Sequence, residues 1–163
     1  MATKIKNNLK EEYQGIKYIL TSTMRTKLLL SIYNNSKNLD DLRIELEKPS
    51  ATILHGLKEL ENLNHVKKVQ KHYQLTSNSY LLTTSMIKLI DNWYATNKNE
   101  DFWNTHDLTA IPKENLKNIY LLKNVECILS TTSNLSKAYN SYSNLIEDAN
   151  ELKITLAIFQ KTI

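Results

Sequence analysis

Between Asn38 and Thr76 the sequence spells out two short helices divided by a proline and then a basic hairpin, and this order limits the folds open to the chain more than any other feature. Asn38 is a helix-capping residue, and Leu39 to Leu46 behind it reads as a short helix. Pro49 acts twice. Its ring cannot sit in a helix interior, so it ends one helix, and its missing N–H costs nothing at the start of the next. On a helical wheel the segment Ser50 to Leu63 puts Ile53, Leu57, Leu60 and Asn64 on one side. Ala51, Thr52, His55, Lys58, Glu59 and Asn62 fall on the other. Val66 to Val69 and Tyr73 to Leu75 then read as two strands, with Gln70, Lys71 and His72 near their turn. Helix, tight turn, helix and cationic hairpin is the order with which proteins lay one helix in a DNA major groove.

Apolar stripes flank this module. Ile5, Leu9, Tyr13, Ile16 and Leu20 step at helical spacing, which predicts a first helix over Lys4 to Leu20. Thr21, Ser22 and Thr23 interrupt it and cap a helix from Met24 to Tyr33 that buries Leu28, Leu29 and Ile32. After the hairpin, Thr76 or Asn78 caps a long helix to about Asn97. In it Leu82, Met86, Leu89 and Trp93 have the a/d spacing of a helix that pairs with another. The expectation is a homodimer joined through Leu9, Tyr13, Ile16, Leu82, Met86, Leu89 and Trp93, against the plainer reading that these residues pack inside their own subunit.

Asn97 to Pro112 is polar, with embedded aromatics and no period, and reads as a linker. Beyond it Lys113 to Leu122 is helical, Val125 to Ser130 suits a buried strand, and Leu135 to Ala149 is an amphipathic helix with Ala138, Tyr142, Leu145 and Ala149 on one face. Leu152 to Phe159 suits a second strand, parallel to the first through a right-handed crossover. The predicted class is therefore α+β and mostly helical: a winged helix-turn-helix with flanking dimerisation helices over residues 1–97, a linker over 98–112, and a small partial α/β domain over 113–163. Ile163 follows directly on a buried-type strand, so the chain is expected to be a fragment of a longer protein.

Composition narrows the chemistry. Hydrophobic residues make up 41% of the chain, enough for a globular core. No apolar run approaches the ~20 residues that span a bilayer, and the amino terminus lacks an apolar signal core, so a cytoplasmic protein without membrane contact is expected. A single cysteine, Cys127, excludes an intrachain disulfide and fits a reducing interior. With only Gly15 and Gly56 there is no phosphate-cradling loop and no dinucleotide fingerprint. Charge is divided unevenly: residues 1–75 hold 13 Lys/Arg against 8 Asp/Glu, and residues 76–163 hold 8 against 9. The surplus points to a polyanion partner for the first half.

Double-stranded DNA is the partner these residues suit. Thr52, His55 and Lys58 are the candidates for base edges, and Ala51 for a thymine methyl. Ser50, at the helix start, suits a phosphate. Lys67, Lys68 and Lys71 would hold the backbone or enter the minor groove. Arg25 and Arg43 could instead pair with nearby carboxylates, and Glu59 on the outward face repels phosphate. A winged helix used only for protein contacts, as an adaptor, is the rival reading. His55, His65, His72 and His106 show no short ligand spacing, so no metal and no cofactor are expected. Thr105, His106, Asp107 and Thr109 contain the ingredients of a hydroxyl–imidazole–carboxylate array, but adjacency in sequence rarely gives its geometry, and a turn or cap is the better reading. No enzyme is expected.

Two strings carry a resemblance. Leu20 to Asn34 (LTSTMRTKLLLSIYN) and Ser50 to Thr76 (SATILHGLKELENLNHVKKVQKHYQLT) resemble the winged helix-turn-helix of archaeal and bacterial regulators related to the arsenic-repressor group, with Tyr73-Gln74-Leu75-Thr76 like the end of the second wing strand and the helix cap there. Phe102 to Pro112 (FWNTHDLTAIP) resembles the join between winged helix and sensor domain in archaeal transcription factors of the methanogenesis-regulator type, with Ala110 where the resemblance would put a glycine. Together these cover about Leu20 to Lys123. The resemblance implies a transcription regulator whose second domain receives a signal. An unidentified small-molecule effector is therefore a further expected partner, with Trp103, Tyr139 and Tyr142 as residues that could line a pocket or simply pack a core.

Overall fold

The computed structural model describes residues 13–109, 111–128 and 130–147. These are mostly helical, with one small antiparallel sheet, an α+β arrangement. The chain divides between Tyr94 and Ala95 into two compact units.

In the first unit helix α1, described over residues 13–20, is followed by α2 (Thr23–Ile32), α3 (Leu39–Leu46) and α4 (Ser50–Asn62). The hairpin comes next, β1 (Val66–Val69) and β2 (His72–Leu75), and then the long helix α5 (Ser77–Lys98). Local chemistry sets most of these ends. Ser22 accepts from the Arg25 N–H at the start of α2. Asn38 and Asp41 form a reciprocal capping box on α3, at 3.0 and 3.1 Å. Glu47 closes α3 in the left-handed region (φ 51°), and Pro49 in extended backbone opens α4. The Thr76 hydroxyl accepts from the Ser79 N–H and donates to the Asn64 carbonyl, which ties the start of α5 to the end of α4.

The core gathers Ile19 from α1, Leu28, Leu29 and Ile32 from α2, Leu42 from α3, Ile53, Leu57 and Leu60 from α4, Val66 and Tyr73 from the hairpin, and Met86 from α5. Burying each large aliphatic side chain contributes about 1.5–3 kcal/mol before the entropy of ordering it. Gly56 makes the approach of α4 to α2 possible. A Cβ at this position would lie 2.8 Å from Leu28 Cδ1 and 3.0 Å from Met24 Cγ. Val66 pairs with Leu75 and Lys68 with Tyr73 across the hairpin, and Lys37 adds a third, one-residue strand by exchanging both backbone hydrogen bonds with Tyr73.

Several expectations need correction here. Asn64 does not join the inward face of α4: the helix ends at Asn62, and Asn64 is exposed at φ 57° in the turn that follows. On α1 the buried position is Ile19, whereas Tyr13 and Leu20 are exposed. The stripe is thus rotated from its expected phase. Leu9 lies outside the described residues. Met86 cannot serve a partner subunit, because it is 3% exposed within its own core, and Leu82 packs against the same cluster. Leu89 and Trp93, on the same stripe, are 58% and 63% exposed. The sequence spacing is that of one continuous face, but the core beneath it ends at Met86, so its two halves meet different surroundings.

In the second unit α6 (Glu100–Thr105) occupies part of the expected linker, followed by α7 (Lys113–Leu116), a 3₁₀ turn (Ile119–Leu122) and α8 (Lys137–Glu147). The helix expected over Lys113 to Leu122 is therefore broken at Lys117 and Asn118. The described residues of Val125 to Ser130 form no strand. A strand needs a ladder to satisfy its backbone, and the expected partner, Leu152 to Phe159, lies outside the described residues, as does Ala149. Cys127, expected inside a buried strand, is half-buried in irregular backbone.

Candidate nucleic-acid interface

Helix α4 presents two faces. Ile53, Gly56, Leu57 and Leu60 are buried, while Ala51, Thr52, His55 and Lys58 are exposed and Ser50 is half-buried at the helix start. The pitch that sends the first set inward carries the second set outward. Leu54 is exposed on the side of α4 nearest the hairpin. It lines a groove of about 350 Å³ with Leu39 and Asp40 of α3 and with Lys68, Lys71 and Tyr73 of the hairpin.

The three hairpin lysines are exposed but do not share a face. Lys68 is paired with buried Tyr73, on the face that turns toward the core, and its ammonium lies 5.3 Å from the Tyr73 ring centroid. Lys67, one residue earlier, points from the opposite face of the pleat, beside Gln74. Lys71 stands at the turn behind Gln70, which is held at φ 56°. The structure thus brings Lys68 and Lys71 to the α4 groove and leaves Lys67 on the far side of the hairpin.

Glu59 sits at the edge of the outward face, half-buried, and its charge is matched locally. Oε2 accepts from the Arg25 guanidinium at 2.9 Å and Oε1 from the Tyr18 phenol at 2.9 Å. Donation from Tyr18, then from Arg25, holds the Glu59 carboxyl below its usual range against the opposing effect of burial. Arg25 is committed further: its Nε donates to the Tyr18 carbonyl at 2.9 Å and its Cζ lies 3.6 Å from the centroid of the Tyr18 ring. Arg43 is exposed, 3.8 Å from Asp40. Sequence reasoning allows Arg25 a carboxylate partner but does not identify Glu59, since the two are separated by 34 positions and no local pattern joins them.

The remaining candidates fall elsewhere. His65 is half-buried with Nδ1 2.5 Å from the Ser79 hydroxyl, and burial pushes its pKa down. Among the described residues no three His, Cys, Asp or Glu side chains gather where they could hold a metal ion. His106 Nδ1 lies 2.7 Å from the Phe102 carbonyl with its ring stacked on Phe102, and the Thr105 hydroxyl donates to the Asp101 carbonyl at 2.6 Å. Asp107 accepts from the N–H and hydroxyl of Thr109 at 2.8 and 2.7 Å. These contacts end α6 and shape a turn; the carboxylate serves Thr109. Trp103 is anchored by its indole N–H on the Ala95 carbonyl at 3.2 Å, and Tyr139 is exposed. Nothing is described of the Tyr142 side chain. Among the described residues no helix is long and apolar enough to cross a membrane.

Comparison with known proteins matches the same stretch of chain. The profile of the family described as "Methanogenesis regulatory protein FilR1, N-terminal domain" matches residues 13–92. The methanogenesis regulatory protein FilR1 of Methanothrix harundinacea (strain 6Ac) is 22% identical over 151 residues, which cover 90% of this chain. The chain spans 33% of that relative's length.

Proposed function

We propose that residues 13–98 are a winged helix-turn-helix that reads double-stranded DNA, and that the chain serves as the DNA-binding part of a homodimeric transcription regulator. In this reading α3 and α4 are the helix-turn-helix, the hairpin is the wing, and α4 enters the major groove. The observation that carries it is the placement of Ala51, Thr52, His55 and Lys58 on one open flank of α4, beside a groove that Lys68 and Lys71 line. Helices present base-reading residues in this way, with cations alongside for phosphates. The match of residues 13–92 to the N-terminal domain of a regulatory family, and the excess of positive charge in the first 75 residues, favour the same reading.

Ser50 and the free N–H groups of the first turn of α4 would meet a phosphate. Lys68 and Lys71 would hold the strand that borders the groove, and Lys67 would reach backbone or minor groove from the other face of the wing. Two protomers would place their α4 helices about 34 Å apart on a roughly palindromic site. The second unit would receive the signal, an effector of unidentified chemistry, and bias the angle between the two wings.

Replacing Lys67, Lys68 and Lys71 together by Ala tests the reading. Binding to all duplexes should weaken in a mobility-shift titration, and the slope of log affinity against log salt should fall by roughly 1 per lysine that meets a phosphate. Unchanged affinity and slope would remove the wing from the interface. Wild-type protein with no salt-dependent DNA binding would end the reading altogether.

A further inference from the structure

The one acidic side chain at the edge of the α4 outward face stands next to the histidine that the proposed function assigns to base reading. His55 Nδ1 is 3.7 Å from Glu59 Oε2, one helical turn apart, and the His55 ring is exposed. Glu59 itself has little freedom. Its carboxylate is clamped by a phenol from α1 and a guanidinium from α2, each at 2.9 Å, and the side chain is 26% exposed. Arg25 is in turn fixed by the Tyr18 carbonyl and the Tyr18 ring.

We propose that Glu59 is a positioning residue that sets the hydrogen-bonding sense of His55, so that the outward nitrogen of His55 accepts from an exocyclic amino group, adenine N6 or cytosine N4, in the major groove. The inference rests on the DNA-reading role of α4. A carboxylate only accepts, so an imidazole nitrogen turned to it must carry the proton. The proposal requires a turn of the exposed ring that closes the 3.7 Å between Nδ1 and Oε2 to hydrogen-bonding distance. In the tautomer with its proton on Nδ1, Nε2 is a lone-pair acceptor at the outer edge of the ring, because the partner of one ring nitrogen decides the role of the other. In the major groove, adenine and cytosine offer amino donors where guanine and thymine offer acceptors at the matching position. Glu59 thus acts on sequence preference without touching DNA. Its charge, which would repel phosphate if left alone, is matched by Arg25.

The arrangement also joins α1 to the reading face. The Tyr18 phenol of α1 donates to the Glu59 carboxylate of α4 at 2.9 Å. Removing its hydroxyl should loosen Glu59 while leaving the ring beneath Arg25 in place.

The experiment compares wild type, His55→Ala, Glu59→Gln, Tyr18→Phe and the double variant His55→Ala/Glu59→Gln, all as the full chain. Bound sites are first selected from random DNA, and affinities are then measured on duplexes changed one base pair at a time. Wild type should favour an amino-bearing base by about tenfold at one position per half-site, the order expected for one good base contact. His55→Ala should abolish that preference. Glu59→Gln should cut it to about twofold at that position and no other, with non-specific affinity kept and a melting temperature lowered by the lost pairing with Arg25. The double variant should be no worse than His55→Ala, because the two act through one contact. Tyr18→Phe should relax the preference partly, and it keeps the idea testable should Glu59→Gln fold poorly. A base profile unchanged by both Glu59→Gln and Tyr18→Phe, losses that add to those of His55→Ala, or a loss spread evenly over all positions in both Glu59→Gln and Tyr18→Phe would each overturn the proposal. Absence of any salt-dependent DNA binding by wild type would overturn it together with the reading beneath it, and is thereby told apart from a failure of Glu59 alone.

Discussion

On acidification three side chains of the first unit tie its stability to pH, and their signs agree. Burial lowers the His65 pKa from 6.5, with Nδ1 beside the Ser79 hydroxyl. The unfolded chain therefore takes up this proton at a higher pH than the folded one, and stability is lost as pH falls through 6.5. Glu45 is held below 4.5 by Lys37, and Glu59 below 4.5 first by Tyr18 and then by Arg25. Their contribution is present above 4.5 and is lost as pH falls below it. Urea midpoints should therefore decline in two arms on acidification, one beginning near neutrality and one near the carboxylate range. His65→Gln should flatten the upper arm and leave the lower one in place; an upper arm of unchanged slope would exclude His65 as its source. Residue by residue, the sequence was legible where a side chain acts on its near neighbours. The Asn38 cap, Pro49 at the start of α4 and Thr76 before α5 follow from local rules. The ion pairs of Arg25 with Glu59 and Lys37 with Glu45 do not, and the sequence shows the charge of Glu59 without the partners that match it.

Elements were legible where a period had room to show itself. The helices behind Asn38 and Pro49 and the paired strands lie within a residue or two of expectation, because apolar spacing, caps and turn residues agree there. Helix α6 is hidden in what the sequence shows as an aperiodic linker, because six residues are too few to display a helical period. The one-residue strand at Lys37 carries no sequence signal, since its pairing with Tyr73 is made across the fold. Packing between α2 and α4 rests on Gly56, a role that composition alone did not indicate. Two effects oppose each other at this position. Alanine is favoured over glycine in a helix interior by about 1 kcal/mol, but overpacking a closed core costs about 1–3 kcal/mol. A Cβ would fall 2.8 Å from Leu28 Cδ1, and Leu28 is itself fully buried, so the neighbour cannot move into solvent. Overpacking should win. Gly56→Ala is expected to destabilise the protein by about 1 kcal/mol in denaturant unfolding, with Gly56→Val far worse. A neutral or stabilised Gly56→Ala would mean that α2 and α4 are more loosely packed than their separation indicates.

At the scale of the whole molecule the question is what covers the far half of α5. The helix begins as part of the first unit's core, through Met86, and runs on to Lys98 with Leu89 and Trp93 more than half exposed on the same stripe. Ile90 and Tyr94 are exposed beside them. The a/d spacing was therefore legible, while the point at which it stops serving its own core was not. That point depends on where α1 to α4 end in space, and a helical period cannot encode it. An apolar strip of this kind on a helix surface is costly to leave in water and is the usual mark of an interface. In the proposed dimer it joins the two protomers, so Leu82 and Met86 brace the strip from behind while Leu89 and Trp93 meet the partner copy. Replacing Leu89 and Trp93 together by Glu should then convert a dimer to a monomer in sedimentation equilibrium at micromolar protein. It should leave the core of α1 to α5 in place, because that cluster contains neither side chain. Affinity for a two-half-site duplex should fall by the factor that linkage supplies, on the order of 10²–10⁴, and affinity for a single half-site should not change. A wild type that sediments as a monomer, or a double variant that still sediments as a dimer, would move the interface off this strip. Equal losses on one and two half-sites would show instead that the two glutamates disturb α4 itself.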